Sequence, residues 1–160
     1  MKPFYTIGHS TLPVADFIAL LRKEGVQRVV DVRKLPGSRA YPAYNDDALE
    51  AALEPFQIKY EHVPALGGRR PKEPAVDPAR NALWENQSFH NYADYATSAA
   101  FSDALDHLLS LRRRQTCALM CAEAVWWRCH RRIIADHLIA AGGPVFHIGG
   151  RKTEQARLMD

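Results

Sequence analysis

Apolar and polar positions fall along this chain in blocks of two periods. Phe4 to Gly8 is a short, mostly apolar run that reads as a buried strand. From Pro13 to Glu24, Val14, Phe17, Ile18 and Leu21 follow the i, i+3, i+4, i+7 spacing of a helix with one buried face. Pro13 lies in its first turn and Gly25 just past its end. Val26 to Val32 is β-branched and apolar on both faces, as a strand covered on both sides requires. Asn45, with Asp46 and Asp47 behind it, opens a second helix that Pro55 ends. Ile58 to Val63 alternates weakly and reads as a third strand. A long irregular stretch from Pro64 to about His90 follows, and loops of that length are usually functional or mobile. Asn91 to Arg114 is helical in two pieces, with a break near Ser98. Cys117 to Ala122 is a fourth strand, Cys129 to Ala141 a helix and Pro144 to Ile148 a fifth strand. The last dozen residues are polar and read as a short helix.

Strands and amphipathic helices thus alternate. The pattern predicts an α/β fold: a single three-layer domain over residues 1–160, with a mostly parallel sheet of about five strands and helices on both faces. The stretch at about 64–90 reads as a loop laid over the sheet, not as a domain boundary.

Composition narrows the class. Of 160 residues, 47% are hydrophobic and 24% charged, which fits a soluble globular domain. No apolar run approaches the roughly 20 residues that span a bilayer, and the N-terminus carries no signal-like apolar segment. The expected compartment is the cytoplasm. Three cysteines exclude a fully paired disulfide framework, so reduced thiols are the default. The net charge of +3 is too small to demand nucleic acid, but basic residues cluster at Arg69-Arg70-Pro71-Lys72, Arg112 to Arg114, Arg128 to Arg132 and Arg151-Lys152. Arg112 to Arg114 read as a cationic cap on a helix C-terminus.

In a sheet of this kind ligands bind beyond the carboxyl ends of the strands. The first strand delivers Gly8-His9-Ser10 there, the second Asp31 and Arg33, the third His62 and then Gly67, Gly68, Arg69 and Arg70. The fourth delivers Cys121 and Glu123, and the fifth His147. The densest segment is Cys121-Ala122-Glu123-Ala124-Val125-Trp126-Trp127-Arg128-Cys129-His130-Arg131-Arg132. It runs from a strand end to a helix start, where free backbone N–H groups and the helix dipole favour anions and lower a thiol's pKa. Cys121 is the candidate nucleophile or redox thiol, and Cys129, beside the helix N-terminus, has the electrostatics for a lowered pKa. Glu123 and His9 are candidate proton carriers. Arg33 and Arg131 offer planar forks for an anion, although ion pairs with Asp31 or Glu123 account for them about as well. Ser10, Asp31, Gly67, Gly68, Arg69 and His130 complete the expected ligand site. Cys117 opens a strand without polar company and reads as core.

These motifs resemble those of one family, the bacterial and archaeal proteins grouped as domain of unknown function 488. The resemblance rests on Thr6-Ile7-Gly8-His9-Ser10, Asp31-Val32-Arg33 with Pro36 and Ser38, Leu66-Gly67-Gly68-Arg69, Tyr92-Ala93-Asp94-Tyr95, Cys121-Ala122-Glu123 and Cys129-His130-Arg131. It spans about residues 4 to 148. It implies a compact α/β domain and supplies no activity.

Three function classes follow. The favoured one is an enzyme that binds a small anionic or nucleotide-like ligand at a cysteine-containing site, with no cofactor named by the sequence. The second is a zinc or iron protein using Cys121, Cys129, His130 and His9. The third is a nucleic-acid-binding module using Arg69, Arg70, Lys72, Arg128 and the tryptophans.

Overall fold

The computed structural model describes residues 2–37, 39–68, 87–150 and 152–158. In chain order the elements are β1 (Phe4–Gly8), α1 (Val14–Lys23), β2 (Arg28–Asp31), α2 (Asp46–Leu53), β3 (Lys59–His62), α3 (Gln87–Tyr95), α4 (Ala99–Leu111), β4 (Cys117–Cys121), α5 (Arg131–Ala140), β5 (Val145–Ile148) and β6 (Thr153–Gln155). Among the described residues the sheet has six strands in the order β3-β2-β4-β1-β5-β6. All pairings are parallel except β5 with β6.

The period-two alternation of each strand sorts its side chains between two cores. Phe17, Ile18 and Leu21 of α1 and Leu49 and Leu53 of α2 pack with Ile7, Val29, Ala118 and Met120 on one face. Tyr92 of α3, Phe101 and Leu108 of α4, and Ile133, Ile134 and Leu138 of α5 pack with Phe4, Val30, Leu119 and Val145 on the other. The chain advances one way across the sheet through α1 and α2, then returns through α3, α4 and α5 on the opposite face. Reversing both direction and face keeps one crossover hand. The neighbours β2 and β4 therefore send their connections to opposite faces, which opens a crevice at their carboxyl ends.

Elements of strong periodicity match their expected positions. The break near Ser98 is a helix cap: the Ser98 hydroxyl accepts a hydrogen bond from the Phe101 N–H at 3.3 Å. The fifth helix starts at Arg131, two residues later than expected, because a single 3-10 turn at Trp126–Arg128 fills the preceding loop. The polar tail corrects the expectation of a helix. Thr153–Gln155 pairs antiparallel with β5 as a sixth strand, since a few polar residues cannot nucleate a helix whereas the open edge of β5 offers them ready partners. In the stretch from Pro64 to His90, Pro64–Leu66 forms one 3-10 turn and α3 already begins at Gln87. Ser38, Arg69, Arg70, Lys72, Trp84 and Arg151 lie outside the described residues.

Arg112 does cap a helix, though not its own. Its Nη1 donates to Gly142 O at 2.6 Å and its Nη2 to Pro144 O at 3.3 Å, beyond the C-terminus of α5, and its guanidinium lies 4.9 Å from the Phe4 ring centre. Gly142 and Gly143 turn around it with φ of 93° and 116°, a conformation other residues rarely adopt.

Candidate functional site

The site starts from one register. Gly8 of β1 lies beside Cys121 of β4, and beyond the strands the His9 N–H donates to Cys121 O and the Ser10 N–H to Ala122 O. The chain after Cys121 thus folds back across β1. A side chain at residue 8 would stop it, because a Cβ there would lie 1.7 Å from Glu123 O. The turn returns Cys129 to Cys121, and the two sulfurs are 2.6 Å apart. Both cysteines are free and buried.

Arg131, in the first turn of α5, reaches back into this loop. Its Nη1 donates to Cys121 Sγ at 2.9 Å and to Glu123 O at 2.7 Å, and its Nη2 to Ala124 O at 3.3 Å. The residue is 1% exposed. A buried guanidinium is costly without a counter-charge. Among the described residues no carboxylate pairs with it, since the ion pairs are Arg28–Glu61, Arg33–Asp31, His90–Asp94 and His107–Glu61. Ionised Cys121 is the anion within reach. Burial alone would raise the Cys121 thiol, but the hydrogen bond from Cys129 and the Arg131 charge outweigh it and bring it down to about 7. Burial and the neighbouring Cys121 hold the Cys129 thiol well above its ordinary value. The expected assignment is therefore corrected: the lowered thiol is Cys121, and Cys129 supplies the proton that holds it.

His130 joins the pair from the helix side. Its Nε2 is 2.8 Å from Val32 O, and its Nδ1 is 3.5 Å from Cys129 Sγ. A carbonyl only accepts, so Nε2 carries the proton in the neutral ring and Nδ1 presents a lone pair to the thiol. Gly68 passes close over that edge; a Cβ on it would lie 3.0 Å from Nδ1. The sequence read Gly68 as a ligand approach, and the structure adds a packing reason for a residue without a side chain. Gly67 similarly lies against the backbone of Lys34, with a Cβ there 2.8 Å from Lys34 Cα.

A second polar node lies at the end of β2. The Asp31 carboxylate is fully buried and accepts from the Arg33 backbone N–H at 3.0 Å, Arg33 Nε at 2.9 Å, Arg33 Nη2 at 2.7 Å and Tyr60 OH at 2.5 Å. Burial and this carboxylate push the Tyr60 hydroxyl well up. Arg33 Nη2 also donates to Tyr44 O at 2.7 Å. Asp31 is thus occupied by Arg33, and the ion-pair reading of Arg33 is the observed one. Arg33 still lines the adjoining cavity, and its Nη1 makes no hydrogen bond among the described residues.

That cavity, of about 420 Å³, sits in the crevice beyond β2 and β4. Arg33, Lys34, Leu35 and Gly37 wall one side; Cys121, Ala122 and Glu123 another; Arg128, Cys129 and His130 a third, with Gly68 and Tyr92 closing it. Of the expected site residues it gathers Cys121, Glu123, Cys129, His130, Arg33 and Gly68. Glu123 is exposed at the rim, and its carbonyl, not its carboxylate, meets Arg131. Arg131 lies behind the thiol and does not line the cavity, so it is placed to hold the sulfur and not a ligand. His9, Ser10, Asp31 and Gly67 are not in the lining. The His9 ring is stacked 4.2 Å from Tyr44 on the α1–α2 side, and its Nδ1 lies 2.9 Å from Ser10 O. The expected meeting of all five strand ends is corrected to three, those of β2, β3 and β4. Arg69 lies outside the described residues.

Sequence reasoning passed over Lys34, Leu35, Gly37 and Ala122 in the lining, and left Tyr92, a residue of the family motif, between core and cleft. The signal for Lys34 was its place beside Arg33. Tyr92 does both jobs: it is buried, its hydroxyl donates to Leu66 O at 2.8 Å, and its ring lies 5.0 Å from that of His130. The metal reading gains no support, since among the described residues no group of three or more His, Cys, Asp or Glu side chains stands together as a ligand set. For the nucleic-acid reading, Trp126 is not available for stacking: it lies flat on His147 at 4.5 Å and its Nε1 donates to Glu154 at 3.0 Å. Among the described residues no helix is long and apolar enough to cross a membrane.

Comparison with curated proteins found no match, and comparison with solved structures found none. A family model does match, over residues 13–138, a span that holds β2, β3, β4 and the whole lining of the cavity. The chain belongs to the family described as domain of unknown function DUF488.

Proposed function

We propose that the chain is an enzyme whose Cys121 thiolate attacks the electrophilic atom of a small anionic ligand held in the crevice beyond β2 and β4. The observation that carries this reading is the Arg131 Nη1 to Cys121 Sγ contact at 2.9 Å in the wall of the cavity. A buried cation behind a thiol has a direct chemical effect: it keeps the sulfur ionised, and the thiolate is the nucleophile. The lining supports an anionic ligand. It carries the cations Arg33, Lys34 and Arg128 against the carboxylate Glu123. The apolar surfaces of Leu35, Ala122 and Tyr92 beside them suit a ligand with a carbon skeleton.

Competitive alkylation tests the reading. Iodoacetate, which is anionic, and iodoacetamide, which is neutral, differ only in the group the cations would hold. At pH 7 Cys121 is expected to react about tenfold faster than free cysteine, whose thiol is mostly protonated there. Its rate with iodoacetate should saturate and should exceed that with iodoacetamide, reversing the preference of free cysteine. Reaction at Cys121 no faster than at free cysteine would end the proposal.

A further inference from the structure

The mechanism so far uses one of two touching thiols and leaves His130 idle. We propose that Cys121 and Cys129 form a dithiol–disulfide couple that reduces small anionic disulfides, with Cys129 as the resolving thiol and His130 as the base that takes its proton. This rests on the reading of Cys121 as nucleophile and adds the substrate class and two further roles.

Three observations carry it. The sulfurs lie 2.6 Å apart, so the roughly 2.05 Å covalent bond of a disulfide needs little movement. Both cysteines line the cavity, so a group bound to one sulfur is within reach of the other. The His130 ring is fixed by Val32 O in the tautomer whose Nδ1 faces Cys129 Sγ at 3.5 Å. The high pKa of Cys129 fits this division of labour: a resolving thiol that stays protonated does not compete for the first attack, and it needs a base when its turn comes.

The chemistry balances in two steps. The Cys121 thiolate attacks one sulfur of a disulfide RSSR; the S–S bond breaks, a Cys121–SR bond forms, and one thiolate RS⁻ leaves. Cys129 then gives its proton to His130 Nδ1 and attacks Cys121 Sγ. The Cys121–SR bond breaks, the Cys121–Cys129 bond forms, and the second RS⁻ leaves, taking the proton from His130. Two electrons pass from the protein pair to the substrate. A dithiol reductant closes the cycle by exchange with the protein disulfide.

The test uses the full chain and dithio-bis-nitrobenzoate, a small anionic disulfide whose released thiolate is coloured. Wild type should release two equivalents and carry a Cys121–Cys129 disulfide, found by peptide mass spectrometry. Cys129→Ser should release one equivalent and keep a stable adduct on Cys121. His130→Gln keeps a donor toward Val32 O but offers no base; its first equivalent should appear at the wild-type rate and its second about 100-fold more slowly. A wild-type protein that retains the adduct on Cys121 overturns the couple while leaving the nucleophile intact. Absence of any adduct or disulfide at Cys121 overturns both readings. An unchanged second phase in His130→Gln overturns the role of the base.

Discussion

Helix α5 has a buried arginine at each end, and the two are held in different ways. Arg112 and Arg131 are each 1% exposed. Arg112 meets the C-terminus, where free carbonyls and the negative end of the helix dipole accept a cation. Its hydrogen bonds all go to carbonyls, without any ionisable partner. Arg131 belongs to the N-terminal turn, where the dipole opposes a positive charge. Two carbonyls receive it there, and its remaining partner is a thiol whose ionised form would balance it. The same side chain, equally buried, meets only carbonyls at one end and helps to lower the pKa of a thiol at the other. What separates them is whether the charge is met by fixed dipoles or by a group that titrates.

The largest expected effect is on stability. Arg112→Met removes the hydrogen bonds to Gly142 O and Pro144 O and the packing of the guanidinium on Phe4, and should destabilise the fold by about 3 kcal/mol in urea denaturation. The folded fraction should alkylate at Cys121 as wild type does. Loss of Cys121 reactivity in that fraction would erase the contrast between the two arginines.

Arg131→Met should show the opposite profile. Without the cation, the hydrogen bond from Cys129 is left as the main opponent of burial, so the Cys121 thiol rises toward its ordinary value of 9.0, and alkylation at pH 7 should slow about tenfold. Stability should change its pH dependence as well. With a folded value near 7, Cys121 sheds its proton in the folded state before the unfolded chain does. Wild-type stability should therefore rise by about 2 kcal/mol between pH 7 and 9, be fully present above that window, and be lost as pH falls through 7. Above pH 9 the trend reverses, because Cys117, pushed up by burial to about 11, and Cys129, held well above its ordinary value, keep their protons in the folded state. In Arg131→Met the rise between pH 7 and 9 should shrink, because only the Cys129 hydrogen bond still favours the thiolate. A rise that survives in full would mean that another group supplies it.

The Arg131 charge acts on a third group. Burial, with Arg131 as second cause, lowers His147 to about 4. The unfolded chain binds a proton below pH 6.5 that the folded state refuses, so stability should fall as pH drops from 6.5 toward 4. Melting curves across that range should show a decline of about 2 kcal/mol, smaller in Arg131→Met. The smallest effect belongs to Glu123→Gln. Since its carbonyl and not its carboxylate meets Arg131, stability and Cys121 reactivity should move by less than about 0.5 kcal/mol. A larger change in the alkylation rate would give the Glu123 carboxylate the proton-carrying role that the sequence suggested.

Residue periodicity made the layers legible. The apolar strands and the helix stripes of Phe17, Ile18 and Leu21 or of Phe101 and Leu108 need no knowledge of their partners to be recognised. The polar edge strand Thr153–Gln155 was not legible, because its conformation depends on the open side of β5 and not on its own residues. The site followed the same division. Two cysteines, a histidine and an arginine in a strand-to-helix loop announced themselves by type and place. Which thiol ionises did not, since it depends on where the Arg131 head comes to rest across ten residues of folded chain. Gly8 was visible only as the last residue of a strand. Its clearance for Glu123 O exists once β1 and β4 are side by side. His9 failed as a cleft residue for a similar reason: Tyr44, distant in sequence, offers its ring a flat apolar partner on the far face.

Strand β4 begins and ends with a cysteine, Cys117 and Cys121, on the same face and about 13 Å apart. One is pushed up to about 11 by burial, the other drawn down to about 7 by the Cys129 hydrogen bond and the Arg131 cation. The chain therefore carries its own reference thiol. In any labelling experiment the ratio of modification at the two positions cancels reagent dose and exposure time. The extent at Cys117 counts how often the whole sheet opens, while the excess at Cys121 measures the site alone.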